Sequence, residues 1–90
     1  MFLAKVVGKV VSTTKDEGLN GKKILITAPV DMDGNLVNEK RIVSIDSVGA
    51  GIGDLVLITT GSVSAYAFAE NGNVAIDSAI VAIIDTIEKN

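Results

Sequence analysis

Short runs of β-branched residues, separated by turn signals, are the feature that most constrains how this chain folds. These apolar runs lie at residues 2–12, 22–30, 41–48, 55–60 and 80–84. Val and Ile suit a pleated sheet because their branched side chains pack well on its surface. Asn20-Gly21 and Asp33-Gly34 are typical hairpin-turn pairs. A spacing of about eight to twelve residues between turns predicts a small, closed all-β barrel.

Three local expectations refine this pattern. Gly8, inside the first valine-rich run, predicts a bend or bulge. Residues 63–70 contain Ala65, Ala67 and Ala69 and follow Ser62, which predicts one short helix with Ser62 as its N-cap. The last apolar run fits either a helix capped by Asp77 or Ser78 or a buried strand, and periodicity does not decide between them. Its β-branched content favours the strand.

The large share of apolar residues in such a small domain predicts an oligomer. A chain of 90 residues and 9.3 kDa makes one domain, residues 1–90, of which 48% are apolar and only 3% aromatic. A domain this small buries only roughly 60–65% of the surface that its unfolded chain exposes. The uncovered apolar surface is typical of a protein interface, so we expect identical copies to associate.

Charge and residue content exclude several classes of function. The chain has 8 Lys+Arg, 11 Asp+Glu and no Cys or His, which gives a net charge of −3. Disulfides, thiolate catalysis and histidine-based sites are excluded, and no cofactor or metal is expected. The first apolar run is interrupted by Lys5 and Lys9, unlike a signal peptide, and no stretch reaches the ~18–20 residues of a membrane helix. We expect a cytoplasmic protein without a membrane partner.

Two short motifs resemble ligand-binding loops. Asp31-x-Asp33-Gly34-Asn35 is similar to the start of a calcium loop, but Ile42 occupies the position where that loop needs an acid, which favours a hairpin turn. Gly49-x-Gly51-x-Gly53 follows a strand, as a dinucleotide-binding loop does. A further strand follows it instead of the required helix, and Asp54 would repel an anion. A tight turn between strands is favoured, and the surplus of glycine suits crowding of backbones at a symmetry axis.

Four aspartates are candidates for acid–base chemistry, namely Asp46, Asp54, Asp77 and Asp85. Asp54 and Asp77 lie at strand or turn boundaries, where aspartate commonly binds local amides. Asp46 and Asp85 lie within apolar runs predicted as strands, where such acids are more often paired across an interface. Local capping or interface pairing is therefore favoured over catalysis, and we expect no enzyme.

A small barrel also allows an alternative function, the binding of single-stranded nucleic acid. That function needs a basic groove and aromatic stacking platforms. Here the lysines are scattered, and Tyr66 and Phe68 fall in one short segment. These features and the acidic net charge disfavour nucleic acid as a partner.

Motifs along nearly the whole chain resemble those of a known family. The opening MFLAKVVGKVVST is similar to the family's "ArVvGxVvaT", and the stretch around Gly21 and Lys23 matches its second strand. The stretch DSVGAGIGDLVL at residues 46–57 resembles its signature "DxVGAGxGExVL", and VAIDSAIVAIID at residues 74–85 its closing "vDaaivgIvD". The family is that of bacterial microcompartment vertex proteins, which includes the ethanolamine-utilisation and carboxysome vertex proteins. One departure is Tyr66, where the family often has arginine.

The resemblance implies a specific architecture and role. It implies a five-stranded barrel like the oligonucleotide-binding fold, assembled as a homopentamer. Such pentamers close the corners of a polyhedral shell whose facets are hexameric proteins. On this basis we expect the loop of Gly49, Ala50, Gly51, Ile52 and Gly53 to lie near the five-fold axis and to border a small pore.

Overall fold

The computed structural model describes residues 1–11, 22–61 and 78–89. Within these ranges the regular secondary structure is entirely β, in agreement with the predicted fold class. The strands are β1 (Phe2–Val10), β2 (Lys23–Pro29), β3 (Ile42–Asp46), β4 (Leu55–Thr60) and β5 (Ser78–Ile83). The helix predicted over 63–70 lies outside the described residues. Over the described ranges, no helix has the length and apolar character needed to cross a membrane.

The five strands close into a barrel in the order β1-β2-β3-β5-β4. All neighbouring pairs are antiparallel except β3 and β5, which run parallel. Because β1 also pairs with β4, the closed sheet has no free edge at that seam. The prediction of a small closed barrel with five strands is confirmed.

Local sequence signals account for several details of the strands. The register of β1 against β2 shifts between Val6 and Gly8, so the predicted bulge is confirmed. A Cβ at Gly8 would lie 3.2 Å from Cδ1 of Ile26, which lies over this glycine. The last apolar run forms β5, as its β-branched residues favoured.

The barrel interior is filled partly by apolar and partly by hydroxyl side chains. Its apolar cluster consists of Ala4, Val6, Leu25, Ala50, Val56, Ile58 and Ile80. Beside it, the hydroxyls of Ser44 and Ser78 lie 2.7 Å apart, and Thr27 Oγ1 donates to the carbonyl oxygen of Ile42 at 2.9 Å. All three hydroxyl residues are buried. These bonds satisfy polar groups that would otherwise be costly to bury.

The connection from β2 to β3 begins with the predicted hairpin turn. Val30 bridges to Leu36, and Asp31 Oδ1 accepts hydrogen bonds from the amides of Asp33 and Asn35 at 2.9 and 3.0 Å. Asp33 also forms an ion pair with Lys89. The Asp31 carboxylate thus stabilises the turn, and within the described ranges no group of three or more possible metal ligands occurs.

Candidate functional site

The glycine-rich segment between β3 and β4 is not a hairpin turn. Strands β3 and β4 are not neighbours, since β5 lies between them in the barrel. Residues 47–54, called here the crossover loop, therefore connect two strands separated by a third. The expected tight turn is present inside this loop at residues 51–54, where the amide of Asp54 donates to the carbonyl oxygen of Gly51. The loop as a whole joins strands that are not neighbours, because the order of strands in the barrel is set by long-range pairing.

Asp46, the last residue of β3, holds the first half of the crossover loop. Its Oδ1 accepts the amide hydrogen of Val48 at 3.2 Å, and its Oδ2 accepts those of Gly49 and Ala50 at 3.2 and 3.1 Å. The ammonium of Lys23 lies 3.6 Å from Oδ2 and also donates to the carbonyl oxygen of Ala50. The Asp46 side chain is fully buried. A buried carboxylate needs such compensation, and here its own chain supplies it.

Asp54 holds the second half of the loop. Its Oδ2 accepts the amide hydrogen of Gly51 at 2.8 Å, and its own amide donates to the carbonyl oxygen of Gly51 at 3.0 Å. The amide of Gly53 donates to the carbonyl oxygen of Val6 at 2.8 Å, and the amide of Val6 donates to the backbone carbonyl oxygen of Asp54 at 2.9 Å. The loop is thereby fastened to β1, and its shape is defined within a single subunit.

The loop has one side in the core and the other in solvent. Ala50 is fully buried and packs in the apolar cluster of the barrel. Ile52 is 68% exposed, and Val48 is also exposed. A single subunit therefore holds a large apolar side chain in water at the tip of a well-bonded loop. Such a side chain is typical of a contact surface when it belongs to a larger apolar area.

Two of the three loop glycines are required by backbone conformation, and the third is not. Gly49 and Gly53 have φ of 91° and 97°, a region that costs other residues about 1–3 kcal/mol. Gly51 has no positive φ, and a Cβ there would meet nothing nearer than Asp54 Oδ2 at 4.0 Å.

We therefore expect Gly53→Ala to lower the free energy of unfolding by about 1–3 kcal/mol. Gly51→Ala should change it by only about 0.5 kcal/mol or less, since its backbone suits any residue. Urea unfolding of the two variants and the parent at equal protein concentration measures the difference. Equal losses for both variants would contradict this assignment of strain.

The geometry disfavours nucleotide binding at the crossover loop. A phosphate-binding loop offers free backbone amides at the start of a helix. Here the amides of Gly49 and Gly51 donate to the chain's own carboxylates, and β4 follows the loop. The loop therefore resembles a folded structural element more than an anion site.

The three candidate acids within the described residues are not brought together into one catalytic group. Asp46 and Asp54 flank the crossover loop and bind its amides. Asp85 is exposed and lies two residues beyond the end of β5, so its expected position within a strand is wrong. Asp77 lies outside the described residues. Asp46 is enclosed by backbone and Lys23, so a substrate has no access to it.

Lys23 is the site residue that sequence reasoning missed. It is the first residue of β2 and pairs in register with Asp46 of β3. Lysine at a strand end is common and usually solvated, so its type gives no signal. Only the antiparallel register places its ammonium over the carboxylate and over the loop carbonyl.

Comparison with known proteins gives a consistent result. The model of the family described as ethanolamine utilisation protein EutN/carboxysome matches residues 1–85. The shell vertex protein PduN of Salmonella typhimurium is 47% identical in an alignment 90 residues long that covers 97% of this chain and 98% of PduN. The carboxysome shell vertex protein CcmL of Nostoc sp. is 47% identical over 87 residues, which are 97% of this chain and 85% of CcmL.

A solved structure extends the similarity to the fold. The GrpN pentameric microcompartment shell protein from Rhodospirillum rubrum superposes with a TM-score of 0.84 at 38% identity, covering 100% of this chain and 99% of GrpN. Sequence and fold thus agree over essentially the full length of both proteins. The chain belongs to the EutN/CcmL family of ethanolamine-utilisation and carboxysome shell proteins.

Proposed function

We propose that this protein is a structural component of a bacterial microcompartment shell, where five copies form the vertex that closes a corner. The observation that carries this proposal is its full-length similarity to GrpN, a pentameric shell protein, at 38% identity. Its relatives PduN and CcmL are shell vertex proteins. Residues 1–90 would act as one vertex domain located in the shell.

The surface of the subunit supports association of identical copies. Large apolar side chains are exposed in several parts of the described chain, among them Met32, Leu36, Val37, Val43 and Ile52. A cyclic ring needs two different contact surfaces on each subunit, so exposed apolar groups at separate places suit it. Neither the acids nor the fold suggests catalysis, and the family similarity favours a shell role over the nucleic-acid alternative.

The proposal includes hexameric shell proteins as partners of the pentamer. A layer of six-fold units stays flat unless five-fold units are inserted, so a closed polyhedron requires both. The crossover loop, residues 49–53 in particular, is proposed to lie near the five-fold axis. Its support is that Gly49, Ile52 and Gly53 are exposed, that carboxylates bind the amides of the loop, and that three of these five positions have no side chain.

Native mass measurement and a substitution at Gly51 test these two statements separately. The parent should have five times the mass of the 9.3 kDa chain. Gly51→Trp should fold, because its Cβ meets nothing nearer than 4.0 Å in the subunit, yet lose the pentamer and shell closure. Gly51→Ala is the matched control and should assemble normally.

The outcomes distinguish the two parts of the proposal. A parent protein that stays a single 9.3 kDa subunit at micromolar concentration would contradict the vertex function. A Gly51→Trp variant that still forms pentamers and closes shells would contradict only the axial position of the loop.

A further inference from the structure

The pairing of β1 with β4 covers only the first part of β1. Strand β4 pairs with residues 2–5, and the crossover loop binds the backbone of Val6. Strand β2, on the other side of β1, continues to pair with it as far as Val10, which lies opposite Ile24. Among the described residues, no strand pairs with the β4 side of residues 7–10, called here the open edge.

The open edge has the properties of a surface that pairs with another strand. Along an antiparallel pair, every second residue directs its N–H and C=O groups away from its partner strand. At the open edge these groups have no strand beside them in the described part of the chain. Val7 and Val11, within and just after this stretch, are exposed β-branched residues. An exposed strand edge of this kind is a template for pairing with another chain.

Two features of the open edge oppose such pairing. Lys9 is the one charged residue of this stretch and is exposed, and the ion pairs of the described residues use Lys23 and Lys89 instead. The register shift between Val6 and Gly8 interrupts the regular spacing of the hydrogen-bonding groups. Lysines and bulges on edge strands are means by which natural proteins avoid association from edge to edge.

Pairing of the open edge with the same edge of a second copy would bring two Lys9 side chains together. Two antiparallel strands related by a two-fold axis place residues 7–10 of one copy against residues 7–10 of the other. Residues directly opposite have Cβ atoms about 4.5–5.5 Å apart, and diagonal ones about 7–8 Å. Like charges at these distances destabilise the pair, and no carboxylate of the described residues neutralises Lys9.

We propose that Lys9, together with the bulge at Gly8, prevents the open edge of β1 from pairing with the open edge of a second copy. The open edge is thus a latent contact surface whose partner is the same edge of another copy. The proposal goes beyond the vertex function and does not rest on it. A protein that assembles through defined contacts gains from such protection, since an unprotected strand edge pairs with many partners.

Removal of the charge at two positions of β1 tests this role. Lys9→Thr leaves a residue that suits a strand and should form particles heavier than those of the parent, with a midpoint concentration of association at least about tenfold lower. Lys5→Thr is the matched control. Lys5 is also exposed, but it pairs with Ala28 on one side and with Leu55 on the other, so this variant should keep the parent's mass. Sedimentation velocity at low ionic strength over a concentration series measures both.

A charge reversal separates repulsion from other effects of the substitution. Lys9→Glu alone should keep the parent's mass, because two glutamates repel each other as two lysines do. An equal mixture of Lys9→Glu and parent should form heavier particles at low ionic strength, since glutamate then faces Lys9. Salt at about 1 M should dissociate them, because it shortens the screening length to about 3 Å. A mixture of Lys5→Glu and parent is the control and should form none.

Hydrogen exchange identifies the surface through which the heavier particles form. Exchange at residues 7–10 should slow in the Lys9→Thr particles, because strand pairing protects amides. Heavier particles without this protection, or no heavier particles from Lys9→Thr or from the Lys9→Glu mixture, would contradict the role of Lys9. A Lys9→Thr protein lighter than the parent would also contradict it, since the open edge would then belong to a contact that the parent makes. All masses are compared with the parent's own, so a parent that is a single subunit contradicts the vertex function alone.

Discussion

Asp46→Ala is expected to lower the free energy of unfolding by about 1–3 kcal/mol, the cost of leaving a buried amide without its acceptor. The carboxylate accepts three backbone amides at 3.1–3.2 Å and faces Lys23 at 3.6 Å. Alanine leaves the amides of Val48, Gly49 and Ala50 without their acceptor. The loss should therefore appear both as reduced stability and as faster hydrogen exchange at these amides.

Two variants serve as controls for this effect. Asp85→Ala removes the same side chain at an exposed position and should change the free energy of unfolding by about 0.5 kcal/mol or less. Asp46→Asn keeps one carbonyl oxygen as acceptor and should fall between the other two. All are compared by urea unfolding at one protein concentration, because assembly stabilises the folded state by mass action. A loss below about 1 kcal/mol for Asp46→Ala would mean that the loop does not depend on this carboxylate.

The strands could be predicted because their signals are local. β4 covers the predicted residues 55–60, and β1 and β2 end close to the predicted limits. Each is a short run of β-branched residues bounded by glycine, proline or charged residues. In a closed barrel each strand has a buried face, so hydrophobic pattern and strand position agree. The bulge at Gly8 and the turn at Asp31 are local in the same sense.

The connections could not be predicted in this way. The crossover loop joins strands separated by β5, which comes almost twenty residues later in the chain than β4. No residue near the loop in the sequence indicates that β5 lies between β3 and β4 in the barrel. The pairing of Lys23 with Asp46 depends on the same long-range register. The predicted position of Asp85 within a strand is wrong because the apolar run continues to Ile84, whereas β5 ends at Ile83.

The three glycines of the crossover loop do not share one structural role. Gly49 and Gly53 serve backbone conformation within one subunit. Gly51 has space around it in the subunit and no positive φ, so the subunit alone gives no reason for glycine there. We propose that the assembly requires glycine at this position. A Gly51→Trp variant therefore tests ring formation separately from folding better than a change at Gly49 or Gly53 does.

Ile58→Ala is expected to lower the free energy of unfolding by about 2–5 kcal/mol. Ile58 is fully buried on β4 and pairs in register with Phe2 of β1 and with Ile80 of β5. It therefore contributes to the pairing of β4 with β1 and to the pairing of β4 with β5. Truncation leaves a cavity that the surrounding closed sheet cannot easily fill, so the cost should lie well above that of the lost transfer energy alone.

Ile83→Ala provides the matched control, because it deletes the same atoms from a neighbouring strand. Ile83 is 38% exposed at the end of β5 and should cost about 1 kcal/mol. Urea unfolding at one protein concentration, with native mass recorded for each variant, compares them at the same assembly state. A cost for Ile58→Ala no greater than that for Ile83→Ala would show that the β1–β4–β5 seam does not form the stabilising centre of the barrel.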